Sequence, residues 1–220
     1  MEGIVIKSID YKEKSKLVYL YTPFGIQSVK ALDAKGKLGF ITTLNLVEYE
    51  QTTSTLPTVT EYSLKKSYFS FYENIEKIGV ITVMLDVLFH LEEDVNHTRI
   101  YPFFLKCLDE LENTDRPRFL LCLFLVKMLS VFGIKPELKK CVQCSRPKIV
   151  NFSILAGGAL CDVCASYNER NYKIFEAFSN LYFTKELSTK SLEISDEDLL
   201  EEVYSYYSIH ASLKLKKYTI

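Results

Sequence analysis

The chain has no tryptophan, only eight glycines, six prolines and three histidines, and five of its 27 basic residues are arginine. Glycine and proline this sparse exclude collagen-like and low-complexity chains. Apolar residues at 48% and charged residues at 25% exclude a disordered chain, because they suffice for a real core. No apolar run reaches about 18 residues without a charge, so no transmembrane helix is expected. The opening MEGIVIKSIDYKEK turns charged at once and offers no secretory apolar stretch, so a cytoplasmic location is expected. The formal net charge of −1 excludes a uniformly basic nucleic-acid coat. Any such function must rest on local patches.

Catalytic signatures are missing too. The sequence contains no G-x4-G-K-[ST], G-x-G-x-x-G, G-x-S-x-G or H-E-x-x-H. His90, His97 and His210 lie far apart. His90, ending an apolar helix, reads as a satisfied interface residue. His97 is placed in the acidic loop Glu92-Glu93-Asp94, which reads as a solvated turn because no glycine-bent calcium loop surrounds it. Catalysis has no evident carrier, and no enzymatic activity is expected.

What is present divides in two, as roughly 150 residues per domain allows. Gly3–Lys7, Leu17–Thr22, Ile26–Leu32, Leu46–Thr52 and Val59–Leu64 are short β-branched and aromatic runs joined by turns, Pro23-Phe24-Gly25 among them. Their number and length fit a five-stranded OB-fold barrel over 1–73, which pattern alone does not separate from an SH3-like barrel. After Asn74, an N-cap by residue type, the period becomes helical. Helices are expected from Ile75 to Phe89, Tyr101 to Leu111, Phe119 to Phe132, Glu169 to Phe183, and Asp196 to about Lys216. Asp115 with Pro117 marks a helix start, Gly133 a stop, and Ser195 with Asp198 a capping box. The expected class is therefore α+β: an N-terminal barrel, then an all-helical domain over 74–220 with an insertion at 139–166.

That insertion carries the strongest chemical signal. Cys141-Val-Gln-Cys144 and Cys161-Asp-Val-Cys164 form two C-x2-C pairs sixteen residues apart. Two residues between cysteines let a tight turn aim both sulfurs at one ion, and two such turns complete a tetrahedral zinc shell. Phe152 to Leu160, with Gly157-Gly158 as the turn, reads as the hairpin that joins the knuckles. Four thiolates leave no open position, so a structural Zn²⁺ is expected, not a catalytic one. Cys107 and Cys122 lie on apolar helix faces and read as core.

Charge is segregated. Residues 1–40 carry Lys7, Lys12, Lys14, Lys16, Lys30, Lys35 and Lys37 against four acids, and residues 135–190 balance at +4. Residues 86–115 are strongly acidic. A barrel with lysines beside its first loop and tyrosines on its strands has the parts for binding single strands, by phosphate neutralisation and base stacking. A solvated lysine rim around core tyrosines fits the same residues.

Barrel, helical domain and inserted four-cysteine knuckle, in this order and at this length, resemble the RecO family of bacterial DNA repair and recombination proteins. The most specific stretches are Gly3–Lys7, Asp10–Val18, Tyr21–Gly25, Arg118 through Gly133 to Pro136, and Tyr207, His210 and Leu213–Lys217. The resemblance implies a cytoplasmic, nucleoid-associated recombination mediator that binds single- and double-stranded DNA and anneals complementary strands. It further implies binding of the acidic C-terminal tail of single-stranded-DNA-binding protein (SSB), and partnership with RecR in loading RecA. Candidate DNA-binding residues are Lys12, Lys14, Lys16, Lys30, Lys35 and Lys37. Asp33 and the lack of arginine after the third strand shift part of the load to Lys139, Lys140, Arg146 and Lys148. Arg116 and Arg118 are the candidates for the acidic tail, with helix capping as their plainer role. A protein-binding zinc-ribbon adaptor without DNA binding is the alternative.

Overall fold

The computed structural model describes residues 1–187 and 192–218, the Lys35 side chain excepted. The chain separates into two compact units, Met1–Ile78 with Glu92–Asn113, and Gly79–Leu91 with Thr114–Ile220. No described helix is long and apolar enough to cross a membrane.

The first unit is built on β1 (Glu2–Tyr11), β2 (Ser15–Thr22), β3 (Gly25–Ala31), β4 (Asn45–Gln51) and β5 (Val59–Ser67). The antiparallel order is β3-β2-β1-β4-β5. A parallel bridge from Lys30 to Thr58, with the Lys30 N–H donating to the Pro57 carbonyl at 2.7 Å, joins β3 to β5 and closes the sheet. A simple meander would pair β3 with β4. Pairing β1 with both β2 and β4 instead is the Greek-key closure of an OB-fold. Alternation fills the barrel: Val18 and Leu20 of β2, Val29 and Ala31 of β3, and Val47 and Tyr49 of β4 all point inward. The short helix α1 (Leu38–Ile41) adds Phe40 to this cluster, its ring edge-on to Tyr49 at 5.8 Å. The tight β2–β3 turn needs Gly25 at φ +94°, and the Thr22 hydroxyl bridges it, accepting from the Phe24 N–H and donating to the Gly25 carbonyl.

Helix α2 (Ile75–Phe89) starts where Asn74 Oδ1 accepts from the N–H groups of Glu76 and Lys77. Helix α3 (His97–Asn113), expected within the helical domain over 74–220, belongs to the barrel unit. Tyr21 of β2 meets His97, Tyr101 and Phe104 at ring-centroid distances of 5.7–5.9 Å. Lys66 reaches Asp109 at 2.7 Å and Glu112 at 2.6 Å, and Tyr68 donates to Asp109 at 2.7 Å. His97 is therefore no loop residue: it is buried, with Nδ1 3.3 Å from the Tyr21 hydroxyl.

The second unit forms around α4 (Pro117–Met128), which is buried nearly all round, as its apolar circumference requires. Helices α5 (Glu169–Phe183) and α6 (Asp196–His210) pack on it. Ser195 caps α6 by accepting from the Asp198 N–H. The expected helix to Lys216 stops at His210, because Ser212 takes a left-handed φ of +53° and the chain continues as an extended strap to Tyr218. Cys107 and Cys122 are buried core thiols, in the first and second unit respectively.

Candidate metal centre and nucleic-acid interface

Strands β6 (Ile149–Ser153) and β7 (Gly158–Cys161) form the hairpin that carries the knuckles. Its turn end is braced by the segment just before the first knuckle: the Glu137 N–H donates to the Gly157 carbonyl at 3.1 Å, and the Ala159 N–H to the Glu137 carbonyl at 2.9 Å. A β-carbon at Gly158 would lie 2.6 Å from the Glu137 oxygen, so only glycine fits there. Its turn is held from α6, where the Tyr206 hydroxyl donates to the Gly157 carbonyl and His210 Nε2 lies 2.6 Å from the Ile154 carbonyl.

The sulfurs of Cys141, Cys144, Cys161 and Cys164 all lie within 4.8 Å of one another, and those of Cys144 and Cys161 are 3.4 Å apart. Each knuckle is a tight turn. Ser145 N–H donates to the Cys141 carbonyl, and the N–H groups of Cys164 and Ala165 to the Cys161 carbonyl. Burial pushes the Cys141 thiol up, but hydrogen bonds from backbone N–H groups of the knuckles, Cys144 and Gln143 among them, outweigh it and bring it down to about 6. At Cys164 the hydrogen bond to Cys144 and burial act together and push the thiol up to about 12. Four sulfurs this close ionise together only if a cation offsets their charge. The donor set therefore fits a tetrahedral divalent ion bound through sulfur, with no position left open.

The barrel lysines converge on one end of the barrel. The Ala34 N–H donates to the Lys14 carbonyl at 3.1 Å, which ties the 34–37 turn to the β1–β2 loop. Lys16 pairs in register with Ala31, beside Lys30, and Lys30 bridges to Thr58 at the end of the Ser/Thr-rich β4–β5 loop. The backbones of Lys12 and Lys14 in the β1–β2 loop, Lys16 at the start of β2, Lys30 on β3, and Lys35 and Lys37 in the turn after it thus gather beside the β1–β2 and β4–β5 loops, the loops with which OB-folds hold oligonucleotides. The Lys35 side chain lies outside the described ones. Lys12 and Lys14 are exposed, Lys16 is drawn to Asp10 at 2.9 Å, and Lys37 donates to the Val59 carbonyl at 3.3 Å.

The tyrosines divide. Tyr21 and Tyr49 are fully buried, as the core-tyrosine alternative has it for these two. Burial pushes the Tyr49 hydroxyl up to about 12. Tyr11, Tyr19 and Tyr62 remain partly exposed, and each carries a lysine ammonium 5.5–5.9 Å from its ring, from Lys12, Lys7 and Lys37 in turn. Each pair offers a cation and a π-face side by side.

In the other unit, Lys139, Lys140, Arg146 and Lys148 are exposed around the first knuckle. Lys148 pairs with Asp162 at 3.0 Å, which leaves Lys139, Lys140 and Arg146 as the stronger cations of that patch. Arg116 is held by both oxygens of Asp196, at 2.6 and 3.2 Å, and lies over Phe119. It ties the start of α4 to the start of α6. Arg118 pairs with Glu197 at 3.7 Å, lies over the Tyr218 ring, and lines a groove of about 910 Å³ beside α6. No motif signals that groove, because the strap forms one of its walls.

Residues 72–218 match the family model described as "Recombination protein O C terminal". Among curated proteins, DNA repair protein RecO of Halalkalibacterium halodurans is 28% identical, over 98% of this chain and 91% of that protein. The RecO protein of Oceanobacillus iheyensis is 24% identical over 98% of this chain and 90% of its own length. The family model takes in well over half of the chain, and these relatives align along nearly all of it. The chain belongs to the recombination protein O family.

Proposed function

We propose that the chain is a non-enzymatic recombination mediator in DNA repair, acting in the cytoplasm at the nucleoid. Membership in the recombination protein O family supports the repair and recombination role. The observation that carries the DNA-binding part is the joining of the lysine-bearing 34–37 turn to the β1–β2 loop at the closing edge of an OB-fold. Lys12, Lys14, Lys16, Lys30, Lys35 and Lys37 neutralise phosphates there, while Tyr11, Tyr19 and Tyr62 present faces to bases. Lys139, Lys140, Arg146 and, less strongly, Lys148 form a second contact for single- or double-stranded DNA.

The metal is zinc, and its role is structural. When bound it supplies a cross-link between the two knuckles. The chain's own part is to present four sulfurs and to brace the hairpin through Glu137, Tyr206 and His210. In the helical unit, Arg118 at the lip of its groove receives the acidic C-terminal tail of SSB, and Arg116 holds the underlying frame. With RecR, such a protein exchanges SSB for RecA on single strands.

Anisotropy of labelled single-stranded DNA tests the reading, together with annealing of complementary strands. Retention of single strands and faster annealing are expected. Failure of both, with the protein folded and metal-loaded, would overturn it in favour of the protein-binding adaptor.

A further inference from the structure

The groove beside Arg118 is already touched by the chain itself. After α6 the strap turns at Ser212 and runs back over the helical unit, with Leu215 buried. The Lys216 N–H donates to buried Asp86 at 2.8 Å, and the Tyr218 N–H donates to the Tyr204 hydroxyl at 3.0 Å. These bonds place the Tyr218 ring between two features. On one side Arg118 lies over it at 5.2 Å. On the other is a notch in α2 that exists only because residue 79 is glycine: a β-carbon there would lie 2.6 Å from the ring. A glycine in a helix interior costs stability, so its presence here marks the notch as a built seat for a ring.

The seat holds its occupant imperfectly. Among the described residues the Tyr218 hydroxyl is buried without a hydrogen-bond partner, which weakens docking of the strap. Lys214 and Lys217 of the same strap line the groove with Arg118, against Glu197 and Glu201. The site thus combines guanidinium, ammonium groups and an aromatic notch, the features that recognise an acidic peptide bearing an aromatic residue.

We propose that the strap is an internal competitor: Tyr218 occupies the aromatic seat at Arg118, and an acidic peptide binds only when that ring swings out. This rests on the reading above that Arg118 receives an acidic tail, and it adds how access is regulated. Apparent affinity is then lowered by the fraction of molecules with the strap docked.

The test uses the full chain and a labelled peptide ending in acidic residues and phenylalanine, followed by anisotropy. Tyr218→Ala removes the ring and should tighten peptide binding about tenfold, whereas Gly79→Ala fills the notch against the strap's ring and the peptide's alike and should weaken binding. Tyr218→Phe removes the unpartnered hydroxyl, secures the strap and should weaken binding about fivefold. Hydrogen exchange should show residues 213–218 less protected in Gly79→Ala and more protected in Tyr218→Phe. If Arg118→Glu abolishes binding while Tyr218→Ala leaves it unchanged, the competitor role is overturned and the peptide site stands. If wild type and every variant fail to bind, both are overturned.

Discussion

The salt dependence of single-strand binding is the sharpest test of the barrel end. Four lysines there, Lys12, Lys14, Lys30 and Lys37, have no carboxylate partner in an ion pair among the described residues, whereas Lys16 is held by Asp10 at 2.9 Å. If those four each meet a phosphate, the slope of log affinity against log salt should be about −3, at roughly −0.7 per contact. Raising salt from 50 to 200 mM should then cost about 50-fold in affinity. Asp10→Asn gives the opposite perturbation. The Asp10 side chain is 90% exposed, so the pair is weak and its loss should not harm the fold. Freeing Lys16 should steepen the slope by about 0.7 and strengthen binding severalfold. Lys14→Glu with Lys37→Glu should flatten the slope by at least two contacts, about 1.4, on every sequence tried. Anisotropy of a labelled oligonucleotide across a salt series reads all three. A slope near zero in the wild type, or variants that do not move it, would refute the placement of phosphates at this end.

Cys161→Ser should lose the bound metal and, by hydrogen exchange, the protection of residues 139–166, while amides of β1–β5 keep theirs. Gly158→Ala drives a methyl group to 2.6 Å from the Glu137 carbonyl and should lower stability by about 1–3 kcal/mol, read as a fall in Tm. Burial pushes the Asp109 carboxyl up, but hydrogen bonds from Lys66 and Tyr68 outweigh it and hold it below the usual range. Its stabilising contribution is therefore full above the unfolded carboxylate pKa of about 4 and lost as pH falls through the lower folded value. Urea midpoints at pH 7 and pH 3 should differ less in Asp109→Asn than in wild type; an equal difference would remove Asp109 from the acid sensitivity.

Much of the site was legible without coordinates, because short-range chemistry wrote it. Two C-x2-C pairs and a Gly-Gly turn need only local geometry to bring four sulfurs together. Five alternating runs suffice for a barrel, and Asn74 and Ser195 cap the helices they precede. Helix α1 was not legible, since four residues make no measurable period and its contribution is the single buried ring of Phe40.

Tertiary structure decided what covers each face and which charges are already used. Alternation along β2 puts Val18 and Leu20 inside the barrel and Tyr19 and Tyr21 outside. Tyr21 is nevertheless buried, because α3, some 75 residues later in the chain, lies over it. A hydrophobic period records which side of a strand is apolar, but not which distant segment will cover the other side. Charge behaves likewise. Arg116 and Arg118 are two residues apart and alike in sequence, yet Asp196 holds one with both oxygens while the other lies over Tyr218 at the lip of a groove. An ion pair depends on distance in space, and only the folded chain sets that distance.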